Sequence, residues 1–184
     1  EGAARRTRRA ARRSGPLRAF GNLRRREVAP GLVLDDGRLE LTTEADLGDP
    51  LLVLRCARVA AEHDAHLQRG SLERLADNAL PLPVPWPDEA REMFVALLAA
   101  GPSAIPVIED LDHVGLFVLM VPEWEPCRSR PQRNAYHRFT VDRHLMETAA
   151  EASRLVDRVD RPDLLLVGAL FHDIGKGYPG DHTE

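Results

Sequence analysis

The stretch of sequence that decides the fold lies between residues 160 and 177 and reads DRPDLLLVGALFHDIGKG. Asp160 and Pro162 are typical of a helix start, because the first turn does not need the N–H that proline lacks. The apolar residues that follow are Leu164, Leu165, Leu166, Val167, Leu170 and Phe171. They surround nearly the whole helix, so we predict a helix that reaches about Ile174 and is central and buried.

Two polar residues, His172 and Asp173, come at the C-terminal end of this apolar helix. Burial of such a pair is costly unless a partner satisfies it, and a divalent metal ion binds imidazole and carboxylate together. His144 lies 28 residues before His172, on a helix predicted from about Val141 to Val159. Antiparallel packing of the two helices would bring the histidines level, so we predict His144, His172 and Asp173 as metal ligands. The alternatives are a polar pair satisfied by protein atoms and a surface histidine.

The exit of the helix adds a cation and a further histidine. Gly175-Lys176-Gly177 is a sharp turn that carries the only lysine of the chain, and Asp181-His182 follows it. We predict Lys176 as a phosphate contact, with a solvated loop lysine as the alternative. His182 is predicted to bind a second metal ion or to protonate the leaving group.

The remaining histidines and one acidic cluster lack the spacing of a metal site. The histidines are His63, His66, His113 and His137, and the acidic residues are Glu109, Asp110 and Asp112. We expect these histidines to be ordinary surface or core residues and the acidic cluster to be solvated.

A His/Asp metal site suits phosphoester hydrolysis. One or two metal ions polarise phosphoryl oxygens and lower the pKa of a bound water, which yields hydroxide near neutral pH. The sequence has no Gly-rich phosphate loop of the Walker type, no G-x-S-x-G nucleophile turn and no paired-cysteine zinc site. Metal-assisted hydrolysis is therefore the chemistry that these residues favour.

The chain before this region has the pattern of short helices, so the predicted fold class is all-α, that is, mainly helical. Residues 3–28 are predicted to be helix or helix plus linker, interrupted near Ser14–Pro16. Helix is predicted over residues 50–63 and 88–100, and two apolar stretches around Asp35-Asp36-Gly37 predict a small β-hairpin over residues 31–41. We divide the chain into a helical linking region, residues 1–121, and the first part of a helical-bundle domain, residues 122–184. The chain lacks an initial Met and stops just after the His/Asp motif, so we expect a fragment of a larger protein.

Composition and charge exclude some classes of protein and partner. No stretch approaches the roughly 20 apolar residues of a membrane span, so no membrane partner is expected. Ten arginines lie between Arg5 and Arg26, but only one aromatic residue, Phe20, lies among them, which is not the interleaving of single-strand binders, so we interpret a solvated helical face and expect no nucleic acid. The two cysteines, Cys56 and Cys127, lie far apart, which predicts a reducing, cytoplasmic location.

The run HDIGK, with His144 upstream, resembles the HD superfamily of metal-dependent phosphohydrolases, whose domains are all-helical. A closer similarity covers RPQRNAYHRFTVDRHLMETA and RPDLLLVGALFHDIGKGYPGDHTE. These stretches resemble the bacterial bifunctional uridylyltransferase/uridylyl-removing enzymes that act on the PII nitrogen-signalling protein. In that family a nucleotidyltransferase domain modifies PII, a central HD domain hydrolyses the phosphodiester, and ACT domains sense glutamine. The resemblance implies that this chain holds the linking helices and the first part of the HD domain.

Carried over by position, the resemblance implies His144, His172 and Asp173 as metal ligands and His182 as the family's downstream histidine. The implied cofactor is a divalent metal ion, Mn or Mg, with Fe or Zn as alternatives. The implied partner is nucleotidylated PII, with UMP or AMP as the product. The last aspartate of the ligand set would lie beyond Glu184, which leaves open whether the fragment is active alone.

Two other functions are left open by the residues. One is a different HD phosphohydrolase, acting on a free nucleotide or a cyclic dinucleotide, which a parent protein without a nucleotidyltransferase domain would favour. The other is a catalytically inactive HD module with a regulatory role, which a missing downstream aspartate would favour.

Overall fold

The computed structural model describes residues 25–131 and 139–178 of the chain, and these begin with a small sheet. The strands are β1 (Arg26–Ala29), β2 (Leu32–Asp35), β3 (Arg38–Leu41) and β4 (His66–Leu67), in the order β1-β2-β3-β4. The first three pair antiparallel, whereas β4 is parallel to β3. The prediction of helix or helix plus linker missed this strand: a helix that includes residues 26–28 is wrong, because pairing of β1 with β2 holds them extended. Residues 3–24 of that prediction lie outside the described residues.

The predicted hairpin is confirmed and is formed by β2 and β3. Asp35 pairs with Arg38, so the loop contains only Asp36 and Gly37. Both loop residues have positive φ, 44° and 75°, which is the requirement of a type I′ turn. Its twist matches that of the flanking strands, so this local signal was strong enough to be read from the sequence.

Helices form the rest of the described chain. The α-helices are α1 (Leu52–Glu62), α2 (Arg69–Asn78), α3 (Asp88–Ala99), α4 (Ala104–His113), α5 (Leu116–Met120), α6 (Val141–Ala152) and α7 (Pro162–Phe171), and the 3₁₀ segments are Gly101–Ser103, Pro122–Cys127, Ser153–Arg158 and Ile174–Gly177. The mainly helical fold class is thereby confirmed. The helix predicted to reach Val159 ends at Ala152 and continues as the 3₁₀ segment Ser153–Arg158.

One continuous hydrophobic core connects the sheet to the last helix. It includes Leu39 of β3, Leu54 of α1, Leu97 of α3, Leu145 of α6 and Leu166 of α7, none of which exposes any surface. The core thus contains residues from both sides of the predicted domain boundary at 121/122, and that division stays a prediction. The hydrophobic core holds α6 and α7 side by side.

The prediction that α7 is buried on all sides is wrong. Only Leu166 and Leu170 of this helix are fully buried, while Leu164 exposes 60% of its surface. Leu164, Val167 and Phe171 line a groove of about 1050 Å³, together with residues of the proline-rich segment before α3 and of α3 itself. An all-round apolar sequence therefore does not mean all-round burial, because α7 packs on one side and borders the groove on another.

Among the described residues, no single helix is long and apolar enough to cross a membrane. Two successive helical segments, Asp88–Ala99 and Gly101–His113, are together long and apolar enough to do so by length and composition only, and they are bent by 107° relative to each other.

The two cysteines are free thiols without exposed surface. Burial raises the pKa of the Cys56 thiol to about 12. Burial also raises the pKa of Cys127, with the charge of Asp142 acting in the same direction. Since the thiolate is the reactive form, both side chains are protected by low access and by a high pKa.

Two glycine substitutions should change stability in opposite directions. A Cβ at Gly37 or at Gly168 would meet no neighbouring atom within 4 Å, so the backbone alone decides the effect. Gly37→Ala forces alanine into positive φ and should cost about 1 kcal/mol of unfolding free energy. Gly168→Ala, within α7, should add roughly 0.5–1 kcal/mol. Urea unfolding measures both changes, and equal effects of the two would contradict this account of the turn.

Native thiol reactivity should be low. We expect the folded protein at pH 8 to react slowly with a thiol-exchange dye at both Cys56 and Cys127, and the unfolded protein to react at both at once. Cys56→Ser and Cys127→Ser, measured separately, assign each reaction phase. A fast native phase lost in either variant would show that its thiol is accessible.

Candidate metal centre at the ends of α6 and α7

The candidate site forms where the first turn of α6 meets the end of α7. His144 lies in α6, and His172 and Asp173 follow the last residue of α7. The imidazole rings of His144 and His172 are 5.2 Å apart, centroid to centroid. The Nε2 atoms of His144 and His172 lie 3.6 Å and 3.2 Å from Asp173 Oδ2. The structure therefore brings together the three side chains that the sequence predicts as ligands.

The three side chains have the access that a substrate site needs. The exposed fractions of the side chains are 18% for Asp173, 29% for His144 and 37% for His172. One ligand atom from each lies within 4.8 Å of the others. Within residues 25–131 and 139–178, this is the one group of three or more such side chains close enough to hold a metal ion.

The orientation of His172 suits metal binding. Its Nδ1 lies 2.8 Å from the carbonyl oxygen of Ala169. A carbonyl can only accept a hydrogen bond, so Nδ1 carries a proton and Nε2 is the ring nitrogen on the side of Asp173. A second partner that fixes the tautomer in this way is typical of metal-binding histidines.

The chemistry of the donor atoms fits a cation. His172 Nε2 and Asp173 Oδ2 lie 3.2 Å apart, and positive charge near both atoms, which Lys176 supplies in part and a bound cation would add to, stabilises this approach. Two imidazoles and a carboxylate converging on one point are donors to a divalent metal ion of the first transition row. The donor atoms of His144, His172 and Asp173 thus suit the predicted divalent metal ion. Their role as ligands is a proposal.

Asp173 has the charge that a ligand requires. Burial raises the pKa of its carboxyl group, but the hydrogen bond and charge of Lys176, followed by the charges of His172 and His144, lower it more. The net pKa lies below the ordinary value for aspartate, so the group is ionised at neutral pH.

The 3₁₀ segment Ile174–Gly177 returns Lys176 to the site. The Lys176 N–H donates to the Asp173 carbonyl at 2.9 Å, and the Tyr178 N–H donates to the Gly175 carbonyl at 3.0 Å. This turn places the Lys176 ammonium against Asp173 Oδ2, with 22% of the lysine side chain exposed. Lys176 is therefore beside the candidate ligands, as its position in the motif predicts.

Asp142 supports the site and was not singled out from the sequence. Its carboxylate accepts hydrogen bonds from the N–H groups of Ser129, at 2.6 Å, and Arg143, at 2.9 Å. Only 9% of the residue is exposed. It thereby fixes the first turn of α6, which carries His144. An acid in the first turn of a helix is a recognisable signal, but its bond to Ser129 has no local signature.

Other candidate residues lie elsewhere. His182 and His137 are outside the described residues. His66 lies on β4, where its Nδ1 is 3.5 Å from Asp110. The prediction that the acidic cluster is wholly solvated is wrong, because Glu109 binds Arg143 at 2.6 Å and the half-buried Asp112 binds Arg128 at 3.1 Å. Burial raises the pKa of Asp112, and Arg128 partly offsets the rise.

Comparison with known proteins supports the reading of this motif. The family model of the HD domain matches residues 141–184. The bifunctional uridylyltransferase/uridylyl-removing enzyme of Streptomyces coelicolor is 51% identical over 160 residues, which are 86% of this chain and 19% of the relative. No solved structure matches the chain.

Further relatives carry the same name. The enzyme of Mycobacterium tuberculosis is 45% identical over 161 residues, 87% of this chain and 20% of the relative. That of Corynebacterium glutamicum is 38% identical over 166 residues, 90% of this chain and 24% of the relative. The chain spans about a fifth to a quarter of the length of these curated relatives. This similarity shows that the chain belongs to the family of bifunctional uridylyltransferase/uridylyl-removing enzymes, with HD-domain sequence over residues 141–184.

Proposed function

We propose that this chain contributes the metal centre with which its parent protein hydrolyses the nucleotidyl phosphodiester of modified PII. The observation that carries the proposal is the convergence of His144, His172 and Asp173 within 4.8 Å beside a lysine. The names of the relatives favour uridylyl as the nucleotidyl group that is removed. Uridylyl transfer and glutamine sensing would belong to other parts of a protein of the relatives' length.

The ligands have distinct tasks in this proposal. His172, held by the Ala169 carbonyl, presents Nε2, and Asp173 supplies the negative charge. His144 completes one face of the site from the other helix. A divalent cation, when bound, supplies an activated water and charge compensation for phosphoryl oxygens. The exposed edge of His172 leaves the phosphodiester room to approach.

Lys176 is proposed to bind the phosphoryl group. Its ammonium contacts Asp173, and a small movement of its flexible side chain would let it contact a phosphate oxygen beside the ligands. Fixed positive charge next to developing negative charge lowers the barrier. His182, outside the described residues, is proposed to bind a second metal ion or to protonate the leaving group.

The donor set bears on the identity of the metal. Magnesium prefers oxygen ligands, whereas imidazole suits transition metals. Two imidazoles with one carboxylate therefore favour a transition metal over Mg, and among the candidates Fe and Zn suit imidazole better than Mn. The cytoplasmic location expected from the cysteines also remains a proposal.

Loss of one ligand should weaken metal binding. We expect His172→Ala to reduce Mn²⁺ affinity more than about 100-fold, because loss of outer partners of metal ligands alone costs 10–100-fold. Isothermal titration of the protein that carries this sequence measures the change. His66→Ala is the matched control, since His66 is exposed and pairs with Asp110 away from the site. Equal affinities of His172→Ala and wild type would contradict the assigned ligand.

Activity should depend on the same residue. We would incubate the protein at its natural length with Mn²⁺ and nucleotidylated PII and follow UMP and AMP by chromatography. Wild type and His66→Ala should release nucleotide, and His172→Ala should release none above background. UMP as the product would support the uridylyl assignment and AMP would replace it. A metal-loaded protein that releases neither would overturn PII as substrate and favour a free nucleotide or cyclic dinucleotide.

A further inference from the structure

The turn that follows Asp173 rests on a separate part of the chain. Three residues of the chain before α6, Pro126, Cys127 and Arg130, contact residues 174–177. We call these three residues the clamp. The Arg130 guanidinium donates to the Gly177 carbonyl, and the Cys127 thiol donates to the Ile174 carbonyl at 3.4 Å. Both pairs are 47 residues apart in sequence. The turn is thereby held from outside as well as by its own hydrogen bonds.

Close packing at Gly177 leaves no room for a side chain. A Cβ there would lie 2.8 Å from Cys127 Sγ and 2.9 Å from the backbone carbonyl carbon of Pro126. Contacts under 3.0 Å require something to move, and the backbone of Pro126 cannot rotate away as a side chain can. The buried Gly177 is therefore seated directly against the clamp.

Arg130 also holds the other half of the metal centre. Its carbonyl oxygen accepts a hydrogen bond from the Val141 N–H at 2.9 Å, at the start of the helix that carries His144. One residue thus bonds through its backbone to a position three residues before His144 and through its side chain to a position four residues after Asp173. Arg130 thus links the two ligand-carrying segments, in addition to helix packing and the contacts of His144 with His172 and Asp173.

Arg128 offers a comparison within the same loop. Its guanidinium donates to the Asp112 carbonyl at 2.6 Å and to the Asp112 carboxylate at 3.1 Å, so it ties the loop to α4. Arg128 and Arg130 thus perform the same kind of bonding, an arginine to a backbone carbonyl, but only Arg130 reaches the turn beside Asp173. The difference separates positioning of the site from general support of the fold.

We propose that Arg130 is a positioning residue of the metal centre, which holds the turn carrying Lys176 and the helix carrying His144 in one arrangement. The proposal rests on the proposed function only for the identity of the bound ion. It assigns Arg130 no contact with substrate. Its effect passes through Gly177 to Lys176 and Asp173, and through Val141 to His144.

The test compares Arg130→Met, Arg130→Lys and Arg128→Met in the full protein. Amide hydrogen exchange of residues 174–178 is measured without metal, Mn²⁺ affinity by titration with electron paramagnetic resonance, and thermal unfolding as the stability control. Arg130→Met should speed exchange at Lys176 and Tyr178 at least about tenfold, because their amide bonds close the turn. It should weaken Mn²⁺ binding roughly 10–100-fold, as expected for loss of support to metal ligands.

The two comparison variants decide between positioning and general stability. Arg130→Lys keeps a donor and should restore most of the exchange protection and Mn²⁺ affinity. Arg128→Met should lower the unfolding temperature and leave both other readouts near wild type. Unchanged exchange and affinity in Arg130→Met, or equal changes in Arg128→Met, would overturn the proposal.

A second perturbation keeps the test decisive if Arg130→Met does not fold. Gly177→Ala leaves Arg130 intact and pushes the turn off the clamp, so it should reproduce the loss of exchange protection and of Mn²⁺ affinity. Wild-type exchange and affinity in this variant would also overturn the proposal. If wild type binds none of Mn²⁺, Fe²⁺ and Zn²⁺, the proposed function fails, whereas hydrogen exchange still tests the positioning by Arg130.

Discussion

The packing of α6 against α7 is the constraint on which the candidate centre depends. His144 lies in α6 and Asp173 just after the end of α7, 29 positions apart in sequence. Their side chains come within 3.6 Å only because the 3₁₀ segment Ser153–Arg158 and the residues after it reverse the chain. Fully buried residues on both helices, Leu145 and Leu166 among them, fix this alignment. The apolar contacts thus hold polar donors in positions that they would not adopt by themselves.

Electrostatics at the site follows from this placement. Asp173 is more buried than either histidine, and removal from water favours its neutral form. The hydrogen bond and positive charge of Lys176, with further contributions from His172 and His144, reverse that preference. A carboxylate kept ionised in a partly buried position is a ready ligand, because no proton must be displaced before a cation binds.

Much of the site could be predicted from the sequence, because its signals are local. The apolar helix, the His172-Asp173 pair at its end and the glycine-flanked lysine all lie within residues 160–177. The Asp36-Gly37 turn was predictable for the same reason, since its backbone demands positive φ. Tertiary contacts decided what was missed. Strand β1 depends on pairing with β2, and the exposure of Leu164 depends on what α7 packs against.

The distance in sequence between the parts of the centre has a consequence for folding. The hairpin closes over two residues, but Arg130 and Gly177 are 47 residues apart, so the centre assembles only when the chain between these two residues has taken its final path. An unfolded chain therefore holds no preformed site, and a cation that binds the native state alone adds its binding free energy to the unfolding free energy. Metal occupancy and the thermal midpoint of the whole chain are in this way thermodynamically linked.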